Sequence, residues 1–554
     1  MTDPITREIV SSSLIYASEE MGIALRNSAY SPNIKERMDH SAALFDSAGR
    51  LLAQAEHIPV HLGSLPWGLK NTIEYCEKEK IEFEKESMIM VNNPYISGTH
   101  LNDVTVVKPI FSRDGDRLVA FAANKAHHSD VGGKVPGSIS VDAKTIFEEG
   151  HIINPVYLLR RGEFVKESLS ALSSNSRTPI ERLGDLKAQV AANITGERRL
   201  LALIEKYGLE LFNDCCESSF DYASNLLKKR LSLIKQGTFR AKDYLEHPDG
   251  ETDLTLVVKI TLSADKIEVD YTGTDNQVSI PLNAVFGVTL SGVHYVIRTL
   301  TGKDIPPNHG AFSLISVFAP SGTILNPIFP FPVAAGNVET SQRNADLLYK
   351  ALSKAAPDKI PAAAGGSMNN VMMGGLHNGK GWAFYETAGV GLGASATQDG
   401  EEGIQANMTN TMNTPIEEVE RTLPLLISRY EFREDSSGSG KYRGGSGLIR
   451  AFTSKSDSTI FTIVAERGRH EPWGLKGGKG GGLTKVVLID SKGKKNKIPV
   501  KCSINLRDGE TVEVSTAGGG GYGSPALRRK KSITSDVENG FISKKYAKNS
   551  GYTK

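Results

Sequence analysis

Three histidines and two aspartates crowd the two ends of one stretch, residues 92–133: His100 and Asp103 near its start, His127, His128 and Asp130 near its end. The whole chain of 554 residues holds only 12 histidines, so such crowding is selective. Imidazole nitrogens together with a carboxylate oxygen are a donor set for Zn²⁺, Mn²⁺ or Fe²⁺, and three such ligands leave positions open for water or substrate. Between the two ends, Arg113-Asp114-Gly115-Asp116-Arg117 separates two strand-like runs and signals a hairpin. A hairpin centred near Gly115 sets Asp103 opposite His127 and His100 opposite Asp130, with directly opposed Cβ atoms about 5.5 Å apart or less. Period-two alternation sends His127 and His128 to opposite faces, so a regular strand delivers only one of them. The centred register selects His127; a slip of one residue selects His128. Upstream, the runs ERMDHSAALFD and AQAEHIPVHLGS add Asp39, His40, His57 and His61 near the ends of neighbouring strands. Each suits a structural hydrogen bond as well as a ligand role, and Asp39 is the best further ligand candidate.

These side chains need a framework. Residues 5–28 carry Val10, Leu14, Ala17, Met21, Leu25 and Ser28 at three- and four-residue steps, the pattern of an amphipathic helix, and the chain then turns at Ser31-Pro32-Asn33. Short β-rich runs follow at 42–45, 50–53, 88–91, 104–111 and 118–123. Residues 180–233 shift to helix formers, 253–272 alternate as half-buried strands do, and beyond 430 glycine becomes dense in KYRGGSG, GLKGGKGGG and STAGGGGYGSP. The expected fold is mixed α/β (α+β) and multidomain. It comprises an N-terminal sheet region with the metal site (1–179), a helical layer (180–250), a central α/β region (251–430), a glycine-rich β region (431–525) and a basic, disordered tail (526–554).

Several function classes drop out. The net charge of +2 is uneven: eight Lys or Arg against Asp536 and Glu538 give the tail +6 and leave the body at −4, and a slightly acidic body does not suit a nucleic-acid binder. No apolar run reaches the roughly 18 residues of a membrane span, and the N-terminus lacks a signal-peptide pattern, so a cytoplasmic location is expected. Four cysteines, two of them adjacent at Cys215-Cys216, are too few for a disulfide framework. The nearest approach to a phosphate-binding loop, at Gly440-Lys441, has Asp435 in place of its first glycine and Tyr442 in place of the magnesium-binding hydroxyl. Tight turns account better for the glycines.

The runs KERMDHSAALFDSAGRLLAQAEHIPVHLGS, NNPYISGTHLNDVTVV, AHHSDVGG, DLKAQVAAN, NVETSQR, NMTNTMNTPIEE, YRGGSG, ERGRHEPWGLKGGKGG and GGGGYGSP occur in that order, and together they resemble the hydantoinase B family. That family includes the B-type subunits or domains of ATP-dependent N-methylhydantoinases, 5-oxoprolinases and caprolactamases, with related subunits in acetone and acetophenone carboxylases. The resemblance covers nearly all of residues 3–525; the basic tail lies outside it, and NMTNTMNTPIEE is three residues longer than the simpler repeat.

The resemblance implies a hetero-oligomer in which a separate A-type subunit of actin-like kinase fold uses ATP to phosphorylate the carbonyl oxygen of a small cyclic amide. This chain then opens the activated ring, which explains why it needs no phosphate loop of its own. His100, Asp103 and His127 match the family's metal ligands, with Asp39 as fourth. Water activated by the ion would attack the imidate carbon and expel phosphate, with Asp130, His128 or His61 as general base. Two other readings stay open: a subunit of an ATP-dependent ketone carboxylase, and a non-catalytic scaffold for the A-type partner.

Overall fold

The computed structural model describes residues 3–55, 57–114, 117–456 and 458–552; Gly115 and Asp116, at the expected centre of the hairpin turn, lie outside them. The chain opens with a helix, Pro4–Ser28, whose first turn is closed by Asp3 Oδ2 accepting the Thr6 N–H at 2.9 Å, with Pro4 preset in helical φ. Its buried face carries Val10, Leu14, Ala17, Met21 and Leu25.

Seven strands then form one sheet: β1 (His40–Asp46), β2 (Leu51–Gln54), β3 (Met88–Val91), β4 (Asp103–Phe111), β5 (Leu118–His127), β6 (Val156–Arg160) and β7 (Glu163–Phe164), in the order β2-β1-β5-β4-β3-β6-β7. Both faces of this sheet are covered. Ala42, Leu44, Ile110 and Ala122 share a core with the first helix and with helices Pro179–Tyr207 and Leu209–Leu231, whereas the alternate residues Ala43, Phe45, Phe121 and Ala123 pack on helix His61–Glu79. Within the sheet β5 is flanked by β1 and β4. Its register with β4 sets Asp103 opposite His127, as the hairpin expectation has it, and its register with β1 sets His40 opposite Ala126.

A second sheet, β8 (Gly237–Glu246), β9 (Asp253–Leu262), β10 (Ile267–Asp270) and β11 (Ile315–Phe318), runs in the order β11-β10-β9-β8. Strand β8 lies in the stretch expected to be helical; it buries Phe239, Asp243, Leu245 and Glu246 and pairs with β9 along its whole length. Helix Phe286–Thr301 links this unit to the first. The Ser291 Oγ on it accepts the N–H groups of Gly63 and Ser64 at 3.0 and 2.8 Å, closing the N-terminus of helix His61–Glu79 from outside. A Cβ at Gly63 would come within 2.7 Å of the Ser291 nitrogen, so glycine is required for this crossing.

Strands β12 (Asn370–His377) and β13 (Lys380–Thr387) join Thr459–Val464 and Lys501–Leu506 in a four-stranded sheet, and five further strands between Leu425 and Ser515 form another beside it. The glycine-rich turns pack backbone against backbone: a Cβ on Gly519 would lie 1.9 Å from the Leu392 carbonyl oxygen, and one on Gly391 1.9 Å from that of Gly445. The C-terminal segment, expected to be disordered, is folded onto this layer instead. It forms helices Lys530–Glu538 and Lys544–Asn549, and buried Arg528 bridges Asp399 (2.7 and 2.9 Å) and Asp536 (2.9 Å). Composition could not show that two carboxylates await this arginine. Among the described residues no helix is long and apolar enough to cross a membrane, and all four cysteines are free.

One buried group makes stability pH-dependent. His294 stacks on Phe312 at 4.1 Å, and burial pulls its imidazole down to about 3. As pH falls through about 6.5 the unfolded chain takes up the proton while the folded one does not, so stability drops by about 1.4 kcal/mol per pH unit between those values. His294→Phe is expected to flatten the acid slope of the unfolding free energy by one proton in chemical denaturation; an unchanged slope refutes this.

Candidate metal centre

Asp103 opens β4 and His127 ends β5, and the chain reverses just before β4, where the Asp103 N–H reaches the His100 carbonyl at 3.0 Å. Three side-chain atoms converge there. His100 Nε2 lies 3.1 Å from Asp103 Oδ1 and 3.1 Å from His127 Nδ1, and His127 Nδ1 lies 3.3 Å from Asp103 Oδ1. An ion about 2.1 Å from each ligand would set neighbouring ligand atoms about 3.0 Å apart at right angles and about 3.4 Å apart in a tetrahedron. The triangle already has that size, and all three residues are buried.

Protonation favours a cation at its centre. His100 Nδ1 is 3.2 Å from the Ala334 carbonyl oxygen; a carbonyl only accepts, so Nδ1 carries the proton and Nε2 presents a bare lone pair. Asp103 Oδ2 is met by His61 Nε2 and Asn337 Nδ2, each at 3.4 Å, which leaves Oδ1 for the centre. Burial pushes the Asp103 carboxyl up, but the neighbouring His100 and hydrogen bonds from the surrounding histidines outweigh it and hold the group well below the usual carboxylate range. Burial pulls His61 and His127 down, toward the neutral form a metal requires. The residues present fit a divalent ion.

Asp39 borders the triangle. Its Oδ2 is 3.9 Å from His127 Nδ1, its carbonyl accepts the His127 N–H at 3.0 Å, and Asn33 Nδ2 reaches both Asp39 Oδ2 (3.5 Å) and the His127 carbonyl (2.7 Å). Tyr385 of β13 stacks on the His127 ring at 4.6 Å and 11°, and the Arg37 guanidinium lies over the Tyr385 ring. Arg37 also bonds Asn33, Thr387 and Thr411, tying this rim to the third sheet. A cavity of about 340 Å³ reaches Asn33 and Tyr385 and is otherwise walled by Tyr30, Glu181, Trp382 and Phe384 among others.

The remaining sequence candidates fall elsewhere. Asp130 does not face His100: β5 ends at His127, and the glycine-bearing loop beyond turns the Asp130 carboxylate onto the N–H groups of Gly132 (3.2 Å), Gly137 (3.1 Å) and Arg177 (3.0 Å) and onto the Arg177 guanidinium (2.9 Å). His128 points to the other face, where Gln189 Oε1 lies 3.0 Å from Nε2 and burial pulls the ring down to about 4. His40 and His57 pair with each other, rings 5.0 Å apart, with Glu19 3.5 Å from His57. His61 is the one proposed general base that touches the triangle, and its Nδ1 is 2.9 Å from Ser41 Oγ. Asn33, Ala334, Asn337 and Tyr385 escaped the sequence reading. NVETSQR stands out as a run, but nothing in it announces the five-residue π-helical turn Gly336–Thr340 that aims Asn337 at Asp103.

Comparison with known proteins identifies the family. Residues 3–525 match the family described as hydantoinase B/oxoprolinase. An uncharacterised protein of Methanocaldococcus jannaschii is 48% identical over 98% of this chain and 95% of its own. A protein of Pseudomonas sp. strain NS671, named as the B-type component of a D-/L-hydantoinase, is 31% identical over 98% and 94%. 5-Oxoprolinase 1 of Arabidopsis thaliana is 34% identical over 95% of this chain but only 42% of its own length, so this chain spans less than half of such relatives. Among solved structures, the ATP-dependent caprolactamase of Pseudomonas jessenii superposes with a TM-score of 0.92 at 28% identity, covering 100% of this chain and 97% of that one. Nucleotide-free acetone carboxylase shares the fold, with a TM-score of 0.92 at 19% identity over 99% of this chain and 79% of that one.

Proposed function

From the premise that the chain belongs to the hydantoinase B/oxoprolinase family, we propose that it is the metal-dependent hydrolytic component of an ATP-dependent cyclic amide hydrolase. The observation that carries this reading is the buried triangle of His100, Asp103 and His127, whose acceptor atoms converge at 3.1 to 3.3 Å. Its counterpart is the length relation: this chain spans 94% of a relative named as a B-type hydantoinase component, against 42% of a 5-oxoprolinase. ATP-dependent phosphorylation of the amide oxygen is assigned to an A-type partner subunit.

His100, Asp103 and His127 would hold the ion, with Asp39 beside them as a fourth ligand. A divalent ion there supplies Lewis acidity, easing deprotonation of water and stabilising negative charge on a substrate oxygen. The chain's own residues do the rest. His61 holds a proton between Ser41 Oγ and Asp103 Oδ2, within reach of the centre. The Tyr385 ring fixes the plane of His127. The 340 Å³ cavity beside Asn33 and Tyr385 matches the size of a small-molecule site and is assigned to the cyclic amide. In the reaction, one water adds to the imidate carbon, the ring C–N bond breaks with its pair on the nitrogen, which takes a proton, and the acyl phosphate so formed is hydrolysed by a second water to carboxylate and phosphate.

The test is co-expression with an A-type subunit, followed by a screen of 5-oxoproline, hydantoins, lactams and ketones for substrate-dependent phosphate release. The expected result is ring opening of a cyclic amide that needs ATP and a divalent ion and is indifferent to CO₂. Dependence on CO₂ with a ketone substrate would move the chain to the carboxylase reading, and full activity after complete metal removal would leave it a scaffold.

A further inference from the structure

We infer that Glu149 is a positioning residue that sets the orientation of His100, and with it the metal affinity; the inference rests on the metal reading of the site. His100 Nδ1 is held by a main-chain carbonyl, that of Ala334, at 3.2 Å. Where an imidazole is steered by a carbonyl, its direction is only as well defined as the peptide that carries the carbonyl. Buried Glu149 holds the residue that bears this carbonyl through the two peptides just before it: Oε1 accepts the Ala334 N–H at 2.9 Å and Oε2 the Val333 N–H at 3.1 Å. One rigid carboxylate thus pins two consecutive peptides immediately before the π-helical turn that carries Asn337.

The arrangement closes a ring of contacts. From His127 the chain runs through the loop to Glu149, across to Ala334, on to His100, and back through Asp103 to its cross-strand partner His127. The same loop is braced by the Ile146 N–H on the Pro330 carbonyl at 3.0 Å, and a Cβ on Gly133 would meet the Glu149 carbonyl oxygen at 2.4 Å. Burial disfavours charge on the Glu149 carboxyl, and the two amide N–H groups it accepts favour it. A buried acid is a costly way to brace a loop, and the role that repays it is a fixed two-point acceptor behind a ligand.

The test measures metal affinity on the purified full-length chain by competition with a chromogenic chelator, using Zn²⁺ and Mn²⁺. Glu149→Gln turns an amide N–H₂ toward one of the two backbone N–H groups, and Kd is expected to rise about 10- to 100-fold, the range for outer-shell partners of ligating histidines. Tyr95→Phe is the control. It releases the Phe331 and Ile328 carbonyls of the same loop, held at 2.8 and 3.2 Å, without touching the 333 or 334 N–H groups, and Kd should stay within about threefold of wild type. An unchanged Kd in folded Glu149→Gln, or equal weakening in both variants, overturns the inference. A second readout does not depend on any variant folding: imidazole ¹⁵N shifts of the metal-free wild type should show His100 protonated at Nδ1, and protonation at Nε2 overturns the inference. A wild-type chain that binds neither ion refutes the proposed function instead, while the tautomer still judges the placement of His100.

Discussion

On the proposed function, His100→Ala is expected to remove the divalent ion and to abolish ATP-dependent ring opening. The substitution removes one corner of a triangle whose sides are 3.1, 3.1 and 3.3 Å, leaving Asp103 Oδ1 and His127 Nδ1 with only the looser Asp39, whose Oδ2 is 3.9 Å from His127 Nδ1. Catalytic sites of this kind rest on three converging protein ligands, and Asp39 does not belong to the close group that His100 completes. The methyl group also leaves the Ala334 carbonyl without its donor. Lewis acidity is worth several kcal/mol of transition-state stabilisation, so the rate should fall by about a thousandfold or more. Metal analysis of the purified protein and phosphate release in the presence of the A-type subunit provide the check. Retained metal and retained ring opening together would remove His100 from the mechanism.

Arg343→Met is expected to cost more stability than any surface change. Arg343 sits fully buried on helix Ser341–Leu352, with Nη2 donating to Glu466 Oε2 at 3.1 Å and Nη1 4.0 Å from Asp243 Oδ1. Glu466 also receives Lys501 Nζ at 2.6 Å. Burial pushes the Asp243 carboxyl up, but Arg343, ahead of Arg467, pulls it below its usual range. Methionine would leave Asp243 and Glu466 short of a cation in a site without solvent, and breaking a buried pair from one side costs about 3–5 kcal/mol. The damage should spread, because Asp243 belongs to the second sheet and Glu466 and Lys501 to the C-terminal layer. Denaturant unfolding checks this. A loss below about 1 kcal/mol would show that Lys501 and Arg467 carry the acids alone, whereas Arg343→Met with Glu466→Gln should recover part of the loss.

How much of the site was legible depended on how local each contact is. The Asp103–His127 pair could be read because a short hairpin fixes its register, and His100 follows three residues before Asp103 on the same turn of chain. Extending that arithmetic to Asp130 failed for a local reason as well: the ladder stops at His127, and Gly132, Gly133 and Gly137 all take positive φ beyond it. Asn337 lies 234 residues from Asp103 in sequence, and no spacing rule spans such a distance.

From the sequence alone came the donor set, the strand pairing that joins two of its members, the amphipathic helix at the start and the lack of a phosphate loop, all properties of neighbours along the chain or of residue type. The tertiary structure decided the rest. It excluded the one-residue slip that would have brought in His128, since β4 and β5 pair with Asp103 opposite His127, turned His61 rather than Asp130 toward the centre, and supplied the Ala334 carbonyl, Asn337 and Tyr385 from distant segments. It also folded the basic tail onto Asp399. These outcomes depend on buried acceptors and rings meeting across layers, where burial and charge pairing act through space and periodicity along the chain carries no information.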